Sequence, residues 1–162
     1  MSAIDHLIHA NDAYAAGFPG PRPTRPKLRL AVLSCMDSRL DLFAGLGLQI
    51  GDAHLIRNAG GLPTEDALRS LAISQRALGT RSIVLLHHTR CGMEGFDDAA
   101  FRAQLAEESG VEPHWDVPGF TDPRERMRES LAQVRDCGWL PHRDEVRGFV
   151  FDVDTGRIDE VV

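Results

Sequence analysis

The sequence predicts an α/β domain with a mainly parallel sheet flanked by helices and a helical arm at its amino terminus. Three features carry that reading. Leu28 to Ser34 and Ile83 to Leu86 are short, almost continuous apolar runs, the pattern of strands buried on both faces. Between and after them lie longer stretches with helical periodicity and recognisable caps. Strands that alternate with helices close into parallel sheets, because the helix returns the chain to the same sheet edge.

Taken in order, residues 4–16 carry apolar positions at Ile4, Leu7, Ile8, Ala15 and Ala16 and read as a short helix. Residues 17–26 hold four prolines and two glycines, which break both helix and strand, so this stretch is an extended connector. Residues 1–26 are therefore expected to form an arm and residues 27–162 the main domain. The first strand is 28–34 and a weaker second is 53–58. Thr64 caps a helix to Leu78, with Glu65 and Asp66 in its first turn and Gly79 at its end. The third strand is 81–87, helices follow at 97–109 and 123–137, and the fourth strand is 148–153. Asp154-Thr-Gly156 turns the chain into a short antiparallel edge strand over 157–162. The expected strand order is 2-1-3-4.

The 162 residues suit one domain with a single sizeable core, and 43% hydrophobic with 26% charged residues is an ordinary globular balance. A net charge of -6 argues against a nucleic-acid footprint or an anionic membrane as partner, while leaving room for a locally positive site. No apolar run approaches the roughly 20 residues of a membrane span. The first residues lack the basic and apolar blocks of a signal peptide, so the expected location is the cytoplasm. Three cysteines in a reducing compartment read as ligands or buried thiols rather than a disulfide framework. Cys137, late in a helix, reads as a buried free thiol.

Cys35 follows the first strand, and His88 and Cys91 follow the third. Parallel sheets place their sites in the crevice at the carboxyl ends of strands, where the order reverses. A 2-1-3-4 order sets the first and third strands side by side there. Two thiolates and an imidazole suit one Zn2+ per chain, and a three-ligand shell leaves the fourth tetrahedral position open, as in catalytic sites. The plain alternative is a buried cysteine, a strand-end histidine and an unrelated cysteine.

Cys35-Met-Asp-Ser-Arg39, Arg57-Asn-Ala-Gly60 and His88-Thr-Arg-Cys-Gly92 occur in that order. Together they resemble the motifs of the β-class carbonic anhydrases, most of all a compact actinobacterial-type branch. Gly148 to Asp152 is similar to the family's last core strand. The resemblance implies zinc-dependent reversible hydration of carbon dioxide to bicarbonate and a proton, a lyase (carbonate dehydratase) reaction. It implies Cys35, His88 and Cys91 as metal ligands and Asp37 and Arg39 as the catalytic dyad that orients the attacking hydroxide. It also implies a homodimer or dimer of dimers, with active sites near the subunit interface and the arm embracing the partner. Some bacterial relatives carry a noncatalytic bicarbonate site with tryptophan three residues before the first cysteine. Val32 stands there in this sequence, although Arg57 of that site persists.

Two rival readings stay open at this point. One is a carbonyl sulfide or carbon disulfide hydrolase on the same scaffold. The other is a noncatalytic zinc or redox module pairing Cys35 with Cys91. Arg57, Asn58 and Gly60 are candidates for a substrate loop that lines the pocket, and the same glycine-containing stretch also reads as an ordinary turn. His54, His87 and His114 are proton-shuttle candidates that equally read as surface or strand histidines. Arg124, Arg126 and Arg128 alternate with Glu125 and Glu129 and read as a solvated helix face.

Overall fold

The computed structural model describes residues 2–162. Its centre is a five-stranded sheet of order β2-β1-β3-β4-β5, formed by β1 (Leu30–Cys35), β2 (Ala53–Asn58), β3 (Ser82–His88), β4 (Val146–Phe151) and β5 (Ile158–Val161). The first four pair in parallel and β5 runs antiparallel to β4. The helices are α1 (Ala3–Ala16), α2 (Leu42–Leu46), α3 (Glu65–Arg76), α4 (Asp98–Ser109) and α5 (Pro123–Asp136). The α/β class, the parallel pairing and the antiparallel edge agree with the sequence reading.

Boundaries shifted where backbone conformation overrode hydropathy. Leu28 stays outside β1 and is 52% exposed, because Arg29 takes a left-handed φ of 52° that delays the strand to Leu30. Helix α2 was not expected: its five residues are too few for a periodic signal. Local chemistry makes it, with the Asp41 side chain accepting from the N–H groups of Phe43 and Ala44 and with Gly47 left-handed at its end.

On one sheet face, Ala31, Leu33 and Leu85 pack against Leu71 of α3 and Met127, Leu131 and Val134 of α5. A second cluster joins Leu86, on the other face, to Cys35, Leu40, Leu42, Cys91 and Phe120 at the carboxyl end of the sheet. The second cluster thus surrounds the carboxyl ends of β1 and β3 and removes them from water. Thr64 caps α3 as expected, accepting from the N–H of Ala67. Ser2 and Asp5 form a reciprocal capping box on α1. Yet no residue of α1 is buried, and Ile4, Leu7, Ile8 and Tyr14 all face solvent.

A single 3-10 turn, Ala59–Gly61, links β2 toward α3 and presses on the end of β1. Gly61 is left-handed at φ 66°, and a Cβ there would lie 2.7 Å from the backbone N of Cys35 and 2.8 Å from the carbonyl carbon of Ser34. Neither backbone atom can yield without moving β1. Gly61→Ala should therefore lower stability by about 1–3 kcal/mol, read as a fall in Tm. Gly92→Ala is the control, because a Cβ at Gly92 meets nothing within 4 Å. Equal Tm values for the two variants would contradict this account.

Candidate metal centre

Cys35 and His88 end two neighbouring strands whose register aligns Leu30 with Ser82 and Ser34 with Leu86. The turn after β3 brings in Cys91. Arg90 makes that turn possible by adopting a left-handed φ of 52°. Thr89 fastens it to β4: its N–H donates to the Phe151 carbonyl at 2.9 Å and its Oγ1 accepts from the Val153 N–H at 3.1 Å. The result is three buried donors, Cys35, His88 and Cys91, with ligand atoms all within 4.8 Å of one another.

The donor set fits a zinc ion. The two sulfurs are 3.9 Å apart, close to the ~3.8 Å edge of a tetrahedron with bonds of about 2.3 Å. His88 Nδ1 lies 2.9 Å from the Thr89 carbonyl oxygen, which can only accept, so Nδ1 carries the proton. The Nε2 lone pair is then free, and that atom is buried without a hydrogen-bond partner. A neutral imidazole fixed by a backbone carbonyl is the usual form of a metal-binding histidine.

The thiols also show a charge problem that a cation would solve. Hydrogen bonding to Cys91 pulls the Cys35 thiol well below its ordinary value, helped by His88 and by the backbone N–H groups of Asp37 and Gly60. Cys91 is pushed up, by Cys35 first and by burial second.

Asp37 stands beside this cluster, its Oδ2 3.7 Å from His88 Nε2. Arg39 holds the carboxylate in three places. Its backbone N–H and Nε donate to Oδ1, each at 2.9 Å, and Nη2 donates to Oδ2 at 2.7 Å. That hydrogen bonding keeps Asp37 well below the usual carboxylate range. Nη2 of Arg39 also donates to the Arg90 carbonyl at 2.8 Å, and the Arg90 guanidinium reaches Asp154 Oδ2 at 2.8 Å. Thr89 and Arg90 escaped the sequence reading, since nothing in their residue types marks a carbonyl that holds another side chain. The only available signal was that a His-x-x-Cys pair needs a tight turn.

The remaining candidates divide. Asn58 braces its own loop, Oδ1 accepting from the Leu62 N–H at 2.8 Å and Nδ2 donating to the Leu62 carbonyl at 2.7 Å. Gly60 is buried and left-handed at φ 79°. The Arg57 guanidinium donates to the backbone carbonyls of Cys35, Asp37 and Leu40. Alternation along β3 sends His87 to the opposite face from His88; it is 1% exposed, stacks on Phe120, and is pushed down to about 4 by burial. His54 Nδ1 pairs with Ser74 Oγ at 2.7 Å, and His114 lines an open cavity with Trp115 and Arg126. Cys137 is a free thiol packed at the margin of the core, only half-buried. Arg126 departs from the expected solvated face: its side chain is 17% exposed and pairs with Glu129.

A family model described as carbonic anhydrase matches residues 30–136. The chain is 46% identical over 161 residues to Beta-carbonic anhydrase 1 of Mycobacterium tuberculosis, covering 99% of both chains. It superposes on the crystal structure of carbonic anhydrase from Streptococcus mutans with a TM-score of 0.92 and 44% identity, covering 100% of this chain and 99% of that one. It is also 30% identical over 155 residues to a carbon disulfide hydrolase from an Acidianus species, covering 80% of this chain and 76% of the relative.

Elemental analysis of the purified protein should find about one zinc per chain. Cys35→Ser and Cys91→Ser should each lose most of it, whereas Asp37→Ala should keep it. Full zinc occupancy in both serine variants would remove the centre described above.

Proposed function

This chain belongs to the carbonic anhydrase family, and from that membership we propose how its own residues hydrate carbon dioxide reversibly to bicarbonate and a proton. The observation that carries the reading is the placement of an ionised carboxylate, Asp37, 3.7 Å from the free nitrogen of the buried Cys35, His88 and Cys91 cluster. In this proposal those three residues hold the zinc. When bound, zinc supplies the Lewis acidity that makes hydroxide available from water near neutral pH. The two thiolates offset much of the cation's charge, which moves that ionisation upward.

Asp37 accepts a hydrogen bond from the attacking oxygen and so fixes which lone pair faces the carbon of carbon dioxide. It can do this only as a carboxylate, and Arg39 keeps it one. Arg39 is in turn held by the Arg90 carbonyl. Asn58 and Gly60 shape the wall beside Cys35, and the backbone N–H of Gly60 serves the Cys35 sulfur. Carbon disulfide hydrolysis is the competing reading, because a relative with that activity is similar over most of the chain. The match to a carbonic anhydrase spans 99% of both chains, against 80% and 76% for that relative, and this fuller coverage favours carbon dioxide.

The reaction is that of a lyase, and we place it in the cytoplasm, where thiols stay reduced. Among the described residues no helix is long and apolar enough to cross a membrane. Residues 1–26 serve as an arm and 27–162 as the catalytic domain. The capped helix α1, with Ile4, Leu7, Ile8 and Tyr14 all exposed, supports a homodimer or dimer of dimers in which that stripe is covered by another subunit. Light scattering should then give a dimer or tetramer for the whole chain and a smaller species once residues 1–17 are removed. A monomeric whole chain would refute the assembly.

Stopped-flow hydration assays test the chemistry. Asp37→Ala should lose at least about 100-fold in kcat, because orientation of the attacking oxygen is lost. Activity should rise from about pH 7 to about pH 8.5. Asp37 cannot cause that rise: its depressed value keeps it ionised throughout, and it would protonate only below the ordinary carboxylate range. The rise belongs to the attacking water losing its proton. A flat profile would count against this assignment, and faster turnover of carbon disulfide than of carbon dioxide would favour the competitor.

A further inference from the structure

Arg57, the penultimate residue of β2, turns its guanidinium onto the neighbouring main chain. Nε donates to the Cys35 carbonyl at 2.9 Å, Nη2 to the Asp37 carbonyl at 2.6 Å and Nη1 to the Leu40 carbonyl at 3.4 Å. These carbonyls begin, centre and end the irregular segment that leaves β1 and carries Asp37 and Arg39. We propose that Arg57 is a positioning residue: it fixes the course of residues 35–40, and so the place of the Asp37 carboxylate beside the three donors. The kinetic part of this proposal rests on the hydration reading above.

The geometry separates two tasks. Arg39 holds the Asp37 side chain, and Arg57 holds the main chain beneath it. All three nitrogens of Arg57 donate to carbonyls, which spends three of its five N–H donors on the main chain of this segment. The segment has other ties: the Met36 N–H donates to the Asn58 carbonyl at 2.9 Å, the Leu40 N–H to the Asp37 carbonyl at 3.1 Å and Arg39 Nη2 to the Arg90 carbonyl at 2.8 Å. Each of these fixes one point, whereas the single planar fork of Arg57 joins three carbonyls across residues 35–40. A lysine ammonium on a flexible stem presents no such fork.

The test compares zinc-loaded wild type, Arg57→Ala and Arg57→Lys by stopped-flow hydration and by amide hydrogen exchange. Both variants should lose roughly 10- to 100-fold in kcat, as expected when a group supporting a metal site is removed, with KM changed by less than about 3-fold. Amides of residues 36–40 should exchange faster in both while those of β3 do not change. Guanidinium ion at low, non-denaturing concentration should restore part of the turnover of Arg57→Ala but none in Asp37→Ala. Unchanged exchange over 36–40, or a rise in KM with kcat intact, would overturn the proposal, the second by making Arg57 a substrate contact. If Arg57→Ala fails to fold, Arg57→Lys carries the comparison. The exchange measurement needs no substrate, so a wild-type protein inactive on carbon dioxide would sink the functional reading and leave the loop result to be judged separately.

Discussion

Two thiols buried 3.9 Å apart cannot both ionise unless a cation lies between them. The rest of the site follows from that constraint. Cys35 is drawn down and Cys91 pushed up, each first by the other, and the neighbouring Nε2 of His88 is buried without a hydrogen-bond partner. A divalent ion satisfies all three at once, which is why burial here is compatible with stability rather than opposed to it.

Around the donors, the protein works mainly through backbone groups. The Thr89 carbonyl sets the His88 tautomer, the Arg90 carbonyl steadies Arg39, and the N–H groups of Asp37 and Gly60 support the Cys35 sulfur. Side chains then act on the main chain in return: Asn58 on Leu62, Thr89 on Val153 and Arg57 on three carbonyls. Main-chain groups carried by a packed sheet move less than long side chains do. Main-chain groups hold the three donors, the Asp37–Arg39 pair holds the carboxylate, and ion pairs more exposed than that contribute little on their own. The Arg90–Asp154 pair is such a contact, with both side chains more than half exposed.

The sheet supplies the rigid frame. Cores on both faces bury β1 and β3, and the cluster around Leu86, Leu40 and Phe120 extends to the metal donors themselves. The amino-terminal helix is the opposite case. It is well capped and wholly exposed, so its local chemistry forms the helix while nothing within the described chain buries its apolar stripe.

Much of this was legible in the linear sequence. Apolar runs marked the buried strands, Thr64 and Gly79 bounded a helix, and the three motifs pointed to the family and its metal. These signals are local in residue type or fixed in spacing, so a one-dimensional reading detects them. Helix α2, the left-handed turns at Arg29 and Arg90, and the inward turn of Arg126 were not legible, because each depends on a neighbour distant in sequence or on a conformation that residue type does not announce. The same holds for Arg57, whose guanidinium lies against the backbone of Cys35 and the segment beyond, a placement its residue type does not announce. Sequence alone determined which groups could bind a cation and in what order they come along the chain. Tertiary structure decided that Cys35, His88 and Cys91 meet, and which carbonyls receive the arginines, since both depend on strand register and chain crossing rather than on residue identity.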